Sequence, residues 1–411
     1  MSELRPRTNR ASATPPGIAR HGRLRKAGPW GTIVSFIAAT LAVVLVSGAA
    51  VGVIAVGQLQ SNIDVVQLVG ETEGPPPSIG AYEGGFNILI VGSDVCEADD
   101  GCSGRGSAQL NDVTMLLHVS ADQTNAVAVS FPRDLVVPIP SCPREDGDGN
   151  NSRMSAQPIN VTLYYGGLPC TVLTVEELTG LDIQFAGLIT FNGVVSMSNA
   201  VGGVPVCVDG PVVDKYSGIN LPEAGTYLLG GGGALAFLRS RHGVGDGSDL
   251  TRISSQQVYL SSLVRTLKSS ETLGDPVKVY NLAKAATQNM KLSQGFANLD
   301  TLASIAFALK DIPLQNVTFV QYPGTTGQDG VYSGKVAPLT GPANALFAKI
   351  RADEPFLLAQ AGDGRGSAID PNAAPIVPDP SATVDPNAPV LETLSGIRGQ
   401  TAADQTCSVA N

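Results

Sequence analysis

Residues 86–94 read FNILIVGSD, a short apolar run stopped by Gly-Ser-Asp, as a buried strand of a sheet reads. Two more such runs follow. DVTMLLHVSA (112–121) and AVAVSFPRDL (126–135) are joined by a polar turn at Asp122–Asn125. Beyond them helical and strand patterns mix. TVLTVEELTG (171–180) has a helical character with Gly180 as its stop, and FAGLITFNGVVSMSNAVGGVPVCV (185–208) reads strand, helix, Gly-Gly turn, strand. A long helix is expected over 251–268, further helices within 277–311, a strand at 316–323 and a last helix at 341–353. This mixture predicts an α/β or layered α/β/α domain.

The chain has 411 residues with 43% hydrophobic content, enough for a sizeable core. Residues 1–30 hold Arg5, Arg7, Arg10, Arg20, Arg23, Arg25 and Lys26 against the single acid Glu3. Residues 31–57 carry no charge, which suits a membrane-crossing helix with Trp30 at its edge. The run exceeds the core of a cleaved signal peptide, so a retained anchor is the expectation. The positive-inside rule then puts 1–30 in the cytoplasm as a basic tail and everything after about residue 58 outside. Residues 58–84 form a connector ending in a Pro-rich stretch. Residues 85–360 form the extracellular domain, and 361–411, rich in Ala, Pro and Asp, read as a disordered tail. Beyond residue 30 the chain holds 19 basic residues against 35 acidic ones. So acidic an exterior argues against nucleic acid as a partner. All six cysteines follow the apolar run, and an exported location favours disulfides. Cys96–Cys102 would close a small loop, and Cys142–Cys170 with Cys207–Cys407 is the preferred remaining set.

LAFLRSRHGVGDGSDLTRISSQQ (235–257) carries the densest chemistry. It brings Arg239, Arg241, Arg252, Asp249, Gln256 and Gln257 together in sequence, directly after an apolar triplet. Arginine grips phosphate bidentately and keeps its charge when partly buried. On a strand Arg239 and Arg241 would share a face; on a helix Asp249, Arg252 and Gln256 would stack on one side. The stretch reads as a clamp for a phosphate or pyrophosphate, with a solvated turn of ion pairs as its alternative. Asp94 and Asp112 stand at the end of one strand and the start of the next. Two carboxylates so placed suit a hard cation such as Mg²⁺, or they are two turn aspartates. Arg133 and Asp134 emerge at the end of a third strand. Asn160, Tyr164 and Tyr165 precede a Gly-Gly turn and either shape a pocket or pack as an aromatic corner. His118 reads as a packed strand residue, and His242 as a possible ligand contact. No GxSxG, HExxH or P-loop pattern occurs, so the sequence gives no support to nucleophilic serine, zinc or ATP chemistry.

LIVGSD, LNDVTMLLHVS, VSFPRDL, INVTLYYGG, NAVGGVPV and LAFLRSRH followed by DLTRISSQQ, in this order over roughly residues 84–268, resemble the LytR-CpsA-Psr family of bacterial cell-wall ligases, in an actinobacterial version. The resemblance implies one α/β/α domain with a central mixed sheet and a long hydrophobic groove. It implies transfer of a glycopolymer from a polyprenyl-pyrophosphate carrier to peptidoglycan, leaving a phosphodiester link. Position by position, it gives Asp94 and Asp112 a magnesium-binding role. It gives Arg133, Arg239, Arg241, Arg252 and Gln256 a pyrophosphate-gripping role, with Asp249 as the clamp aspartate. The expected catalytic set is Asp94, Asp112, Arg133, Arg239 and Arg241. Two departures reduce the positive charge: Leu110-Asn111-Asp112 stands where Arg-Ser-Asp is usual, and Ser255 replaces an arginine before the glutamine pair. A lipid-pyrophosphate hydrolase and a non-catalytic wall-binding or regulatory protein are the alternative functions.

Overall fold

The computed structural model describes residues 29–71, 85–93, 109–144, 147–269, 272, 274–373 and 391–411. Asp94, Cys96 and Cys102 therefore lie outside the described residues. The chain divides into two compact units, Met1–Val56 and Gly57–Asn411. Helix α1 (Pro29–Ser61) exposes its apolar side chains over almost its whole length. It is long and apolar enough to cross a membrane.

In chain order, strands β1 (Asp64–Val66), β2 (Phe86–Ser93), β3 (Asn111–Val119) and β4 (Ala126–Phe131) precede helix α2 (Thr162–Thr179). Then come β5 (Phe185–Ile189), α3 (Phe191–Ala200), and strands β6 (Val204–Val208), β7 (Val212–Asp214), β8 (Ile219–Leu221) and β9 (Gly225–Leu229). Helices α4 (Gly231–Arg239), α5 (Asp249–Lys268) and α6 (Pro276–Asn289) follow, then β10 (Met290–Ser293), α7 (Leu299–Asp311), β11 (Val317–Gln321) and α8 (Thr340–Arg351). Strands β12 (Ser367–Ile369), β13 (Gly399–Thr401) and β14 (Thr406–Ser408) come last.

The central sheet has eight strands in the order β1-β10-β5-β2-β3-β4-β11-β13. It is mixed: β5/β2 and β4/β11 pair parallel, whereas β2/β3 and β3/β4 pair antiparallel. Strand periodicity explains why both faces are covered. Leu89 and Val91 of β2 join a core with Leu116, Val129 and Val320, capped by Val172 and Val175 of α2 and by Leu346 and Phe347 of α8. Phe86 and Ile88 point the other way, onto Phe185, Phe319 and, from α7, Ile305 and Ala308. The result is the layered α/β/α arrangement expected from the sequence. His118 is buried in β3 as anticipated, with Nδ1 2.9 Å from Asn87 Oδ1 and Nε2 2.9 Å from Asp353 Oδ1. In α2, non-helical Gly166 and Gly167 break the helix directly after Tyr164 and Tyr165.

The expectation of a disordered tail from residue 361 does not hold for its described part. A second sheet, β9-β6-β14-β12, draws two of its four strands from this region, and β13 pairs with β11 at the edge of the central sheet. Composition misled because the apolar content is low, and the segment is held instead by backbone pairing, polar bonds and a covalent tie. Buried Gln400 donates to Ser261 Oγ of α5 (2.8 Å), and Cys207 is joined to Cys407 across β6 and β14. Gly399 is required at the edge, since a Cβ there would lie 2.0 Å from the Phe319 carbonyl oxygen. Cys142 and Cys170 form a second disulfide, bridging the loop after β4 to α2.

Cys207 and Cys407 are 200 residues apart, so their bond closes a long loop and restricts the unfolded chain. Replacing Cys407 by serine is expected to cost about 2–5 kcal/mol in guanidinium unfolding under oxidising conditions. An unchanged midpoint would mean that strand pairing alone holds the last two strands.

Candidate functional site

β2, β4 and β11 run in one direction, so their carboxyl ends share one edge of the central sheet with the start of β3. Ligand groups gather at such an edge in layered α/β folds. Arg133 follows β4 by two residues, after Pro132, and Asp112 is the second residue of β3. Ser93, the residue before Asp94, pairs with Asn111. Helix α5 delivers its amino end to this edge. Ser248 caps it, accepting from Thr251 N (3.3 Å), and Asp249 opens the first turn. A carboxylate is favoured there by the helix dipole.

Asp249 is buried and joins three segments. Its Oδ2 accepts from Arg133 N (2.9 Å), and its Oδ1 lies 2.7 Å from Arg252 Nη2, an ion pair whose alignment falls short of a hydrogen bond. Arg252, one turn along α5, donates from Nη2 to the Asp112 carbonyl oxygen (2.9 Å). Arg133 Nη1 donates to Asp112 Oδ1 (2.5 Å), and its Nε stands 3.7 Å from Asp249 Oδ1 and 3.8 Å from Asp134 Oδ2. Burial disfavours the Arg133 charge, but Asp112, Asp249 and Asp134 outweigh it and raise its pKa. Arg241 differs: burial and the neighbouring Arg133 and Arg252 lower its pKa, opposed by Asp249 and Asp134. Burial and Asp249 also push the Asp134 carboxyl above its ordinary range, against the pull of Arg133, Arg241 and Arg252.

Among the described residues, the Nε atoms of Arg133, Arg241 and Arg252 are all buried without a hydrogen-bond partner. Unmet buried donors of this kind are costly and rare. A tetrahedral oxyanion offers the acceptors they lack. The three guanidinium groups are matched by Asp112, Asp134 and Asp249, so an incoming diphosphate would bring uncompensated negative charge. Among the described residues Asp112 Oδ2 accepts no hydrogen bond, leaving it for a hard cation that needs only one or two protein carboxylates. Asp112 alone thus offers one carboxylate oxygen of the kind a magnesium ion takes. Asp94, the other expected ligand, lies outside the described residues.

Two expected contacts take other forms. Arg239 and Arg241 are not on a strand. Arg239 ends α4, with its guanidinium 4.5 Å from the Phe191 ring centroid, and Arg241 sits in the following loop. Glycine-rich flanks without a period-two pattern left that segment open to either reading. Gln256 donates its amide to the Leu238 carbonyl oxygen (2.8 Å), tying α4 to α5. Its nitrogen is therefore engaged within the protein. Asn160 donates its backbone N–H to the Arg133 carbonyl oxygen (3.1 Å) and supports the clamp from below.

One residue of the site was not foreseen. Asp214, buried at the end of β7, accepts from Ser240 Oγ (3.1 Å), Arg241 N (2.9 Å) and His242 N (3.0 Å) through Oδ2, and from Tyr216 N (2.9 Å) through Oδ1. It fixes the loop that carries Arg241. In the sequence it stands in VDKYSG, which reads only as a hairpin turn.

Residues 59–340 match the sequence profile of the LytR_cpsA_psr family. The chain belongs to this family. The cell wall biosynthesis protein LcpA of Corynebacterium glutamicum is 30% identical over 327 residues, covering 72% of this chain and 60% of LcpA. The probable cell wall biosynthesis protein LcpB of the same organism is 29% identical over 276 residues, covering 64% of this chain and 62% of LcpB. The match thus spans somewhat under two thirds of either relative. Among solved structures, a LytR-Csp2A-Psr enzyme from Actinomyces oris superposes with a TM-score of 0.52 at 22% identity, over 70% of this chain and 96% of that one. TagV of B. subtilis gives 0.52 at 20% identity, over 67% and 99%. These likenesses establish the LytR-CpsA-Psr fold for the chain. In this chain Ser255 Oγ lies 2.8 Å from Ser408 Oγ, so strand β14 stands where a longer side chain at 255 would extend.

Asp214 makes the position of Arg241 sensitive to acid. Burial raises its carboxyl, but hydrogen bonds from Arg241, Tyr216, His242 and Ser240 outweigh that and hold it at about 2, against an ordinary 3.8. A depressed carboxylate stabilises the fold above its unfolded value and loses that contribution as pH falls, here between about 4 and 2. Asp214→Asn is expected to cost roughly 2 kcal/mol at pH 7 and to flatten this acid limb. Urea unfolding of both proteins from pH 7 to pH 2.5 checks it; parallel curves would remove Asp214 from this role.

Proposed function

We propose that this protein is a phosphotransferase that moves a glycopolymer from a polyprenyl-pyrophosphate carrier onto peptidoglycan through a phosphodiester link. The observation that carries the reading is the set of three buried, unpartnered guanidinium Nε atoms on Arg133, Arg241 and Arg252 at one sheet edge. Similarity to TagT of Bacillus subtilis supports it. That protein is a polyisoprenyl-teichoic acid–peptidoglycan teichoic acid transferase, 24% identical over 74% of this chain and 89% of its own length.

Phosphoryl transfer asks a protein mainly for positioning and charge neutralisation. Arg133 and Arg241 would hold the phosphate oxygens, joined by Arg239 from the end of α4. Arg252, deeper and bonded to Asp249 and Asp112, would keep the clamp in register. A peptidoglycan sugar hydroxyl attacks the phosphorus that bears the glycopolymer. The new P–O bond forms as the bond to the bridging oxygen breaks, and polyprenyl phosphate leaves with the bond electrons. Asp134 would take the hydroxyl proton. Its raised pKa makes it the better base, whereas Asp112 Oδ1 is held by Arg133 at 2.5 Å. Mg²⁺ on Asp94 and Asp112 would supply the positive charge that the matched ion pairs do not spare. Helix α1 would anchor the chain in the membrane with residues 1–30 in the cytoplasm and the domain outside, beside its lipid donor.

Arg241→Ala is expected to reduce coupling of a short polyprenyl-pyrophosphate saccharide to peptidoglycan fragments about 100-fold, read by mass spectrometry of the product. A loss of twofold or less would sink the clamp role. The same assay should show a rate that falls on the acid side, centred above the ordinary carboxylate value, as Asp134 takes up its proton. Asp134→Asn should remove that limb together with most of the turnover. A surviving limb would assign the proton to another group.

A further inference from the structure

Beside the clamp, two aromatic rings stand in solvent with no part in the core. Tyr216 lies in the turn between β7 and β8 and is 70% exposed; His242 is also exposed. Their ring centroids are 4.8 Å apart and tilted by 51°. Lys215 Nζ stands 5.2 Å from the Tyr216 centroid. The two rings together leave an aromatic surface open to solvent.

The backbone around the rings is fixed. One carboxylate, Asp214, accepts from Tyr216 N, His242 N and Arg241 N. The same anion therefore fixes the backbone from which both rings and Arg241 project. His242 is the neighbour of Arg241 in sequence, about 3.8 Å away from Cα to Cα. A group stacked on these rings would therefore lie against the loop that carries Arg241. Pyranose rings present apolar C–H faces to aromatic rings and hydroxyl or N-acetyl groups to hydrogen-bonding neighbours, and Lys215 offers such a donor. Holding the backbone rigid lowers the ordering cost of binding.

We propose that Tyr216 and His242 form a pyranose-binding shelf next to the phosphate clamp, which determines which saccharide is brought to the reaction. The proposal rests on the reading of the clamp as a glycopolymer transferase site. The sugar is either the first residue of the diphosphate-linked donor or a residue of the acceptor glycan, and the chemistry of the shelf is the same for both.

The test uses the full chain in detergent micelles and three probes: tetra-N-acetylchitotetraose for the acceptor, UDP-N-acetylglucosamine for a sugar diphosphate, and inorganic pyrophosphate with Mg²⁺. Binding is measured by calorimetry and by saturation-transfer NMR. Tyr216→Ala and His242→Ala should each weaken at least one saccharide probe about tenfold, and Tyr216→Phe should retain it. Pyrophosphate binding should stay within twofold in all three. The probe that weakens names the source of the sugar. Saccharide binding that is absent from the parent chain, or equal in parent and alanine variants, overturns the shelf. Failure of the parent to bind pyrophosphate overturns the clamp instead.

Discussion

One buried carboxylate organises this molecule. Asp249 receives the backbone N–H of Arg133 at the exit of β4 and pairs with Arg252 inside α5. A strand end and a helix start from distant parts of the chain are thereby locked at one sheet edge. Removing one partner of such a buried pair leaves a charge uncompensated, at a cost of about 3–5 kcal/mol. The arrangement is costly as stability engineering, since a well-packed apolar cluster would do as well. Its sense lies in what it presents: the buried Nε donors of Arg133, Arg241 and Arg252, which have no hydrogen-bond partner among the described residues. The acids of the site hold the guanidinium groups in place and balance their charge, while these Nε donors stay unmet.

Much of the fold was legible because apolar periodicity reports burial directly. The runs that became β2, β3, β4 and β11 are bounded by turn residues, and their alternate side chains fill two different cores. The body of helix α5 was equally plain over 251–268, whereas its start at Asp249, which puts Asp249 and Arg252 three residues apart on one face, was one of two readings. Arg133 could be placed at a strand end because Pro132 cannot continue a central strand.

What escaped the sequence has a physical pattern. The last strands carry little apolar signal, and their stability comes from pairing with β6 and β11 and from Cys407, none of which is local. The fate of Arg239 depended on where α4 stops, and helix ends are the least determined part of any local pattern. Asp214 acts on Arg241 across 27 residues of sequence, through backbone N–H groups that every residue owns. No side-chain pattern could announce it. Gln256 shows the converse: its place beside the clamp was legible, but not that its amide would be engaged by Leu238.

The late strands also impose an order of events on the making of the site. Helix α5 is sealed along one flank by Ser255 against Ser408 and by Ser261 against Gln400. Cys207 must wait for a partner 200 residues further along the chain. Contacts of such long range form late and slowly. A chain made from its amino end would have its arginines in place while the helix that sets them still lacked its flank. Assembly of the charge cluster is therefore tied to completion of the chain and to formation of the Cys207–Cys407 bond. A nascent or reduced chain would hold Arg133, Arg241 and Arg252 without the geometry that gathers them at one sheet edge.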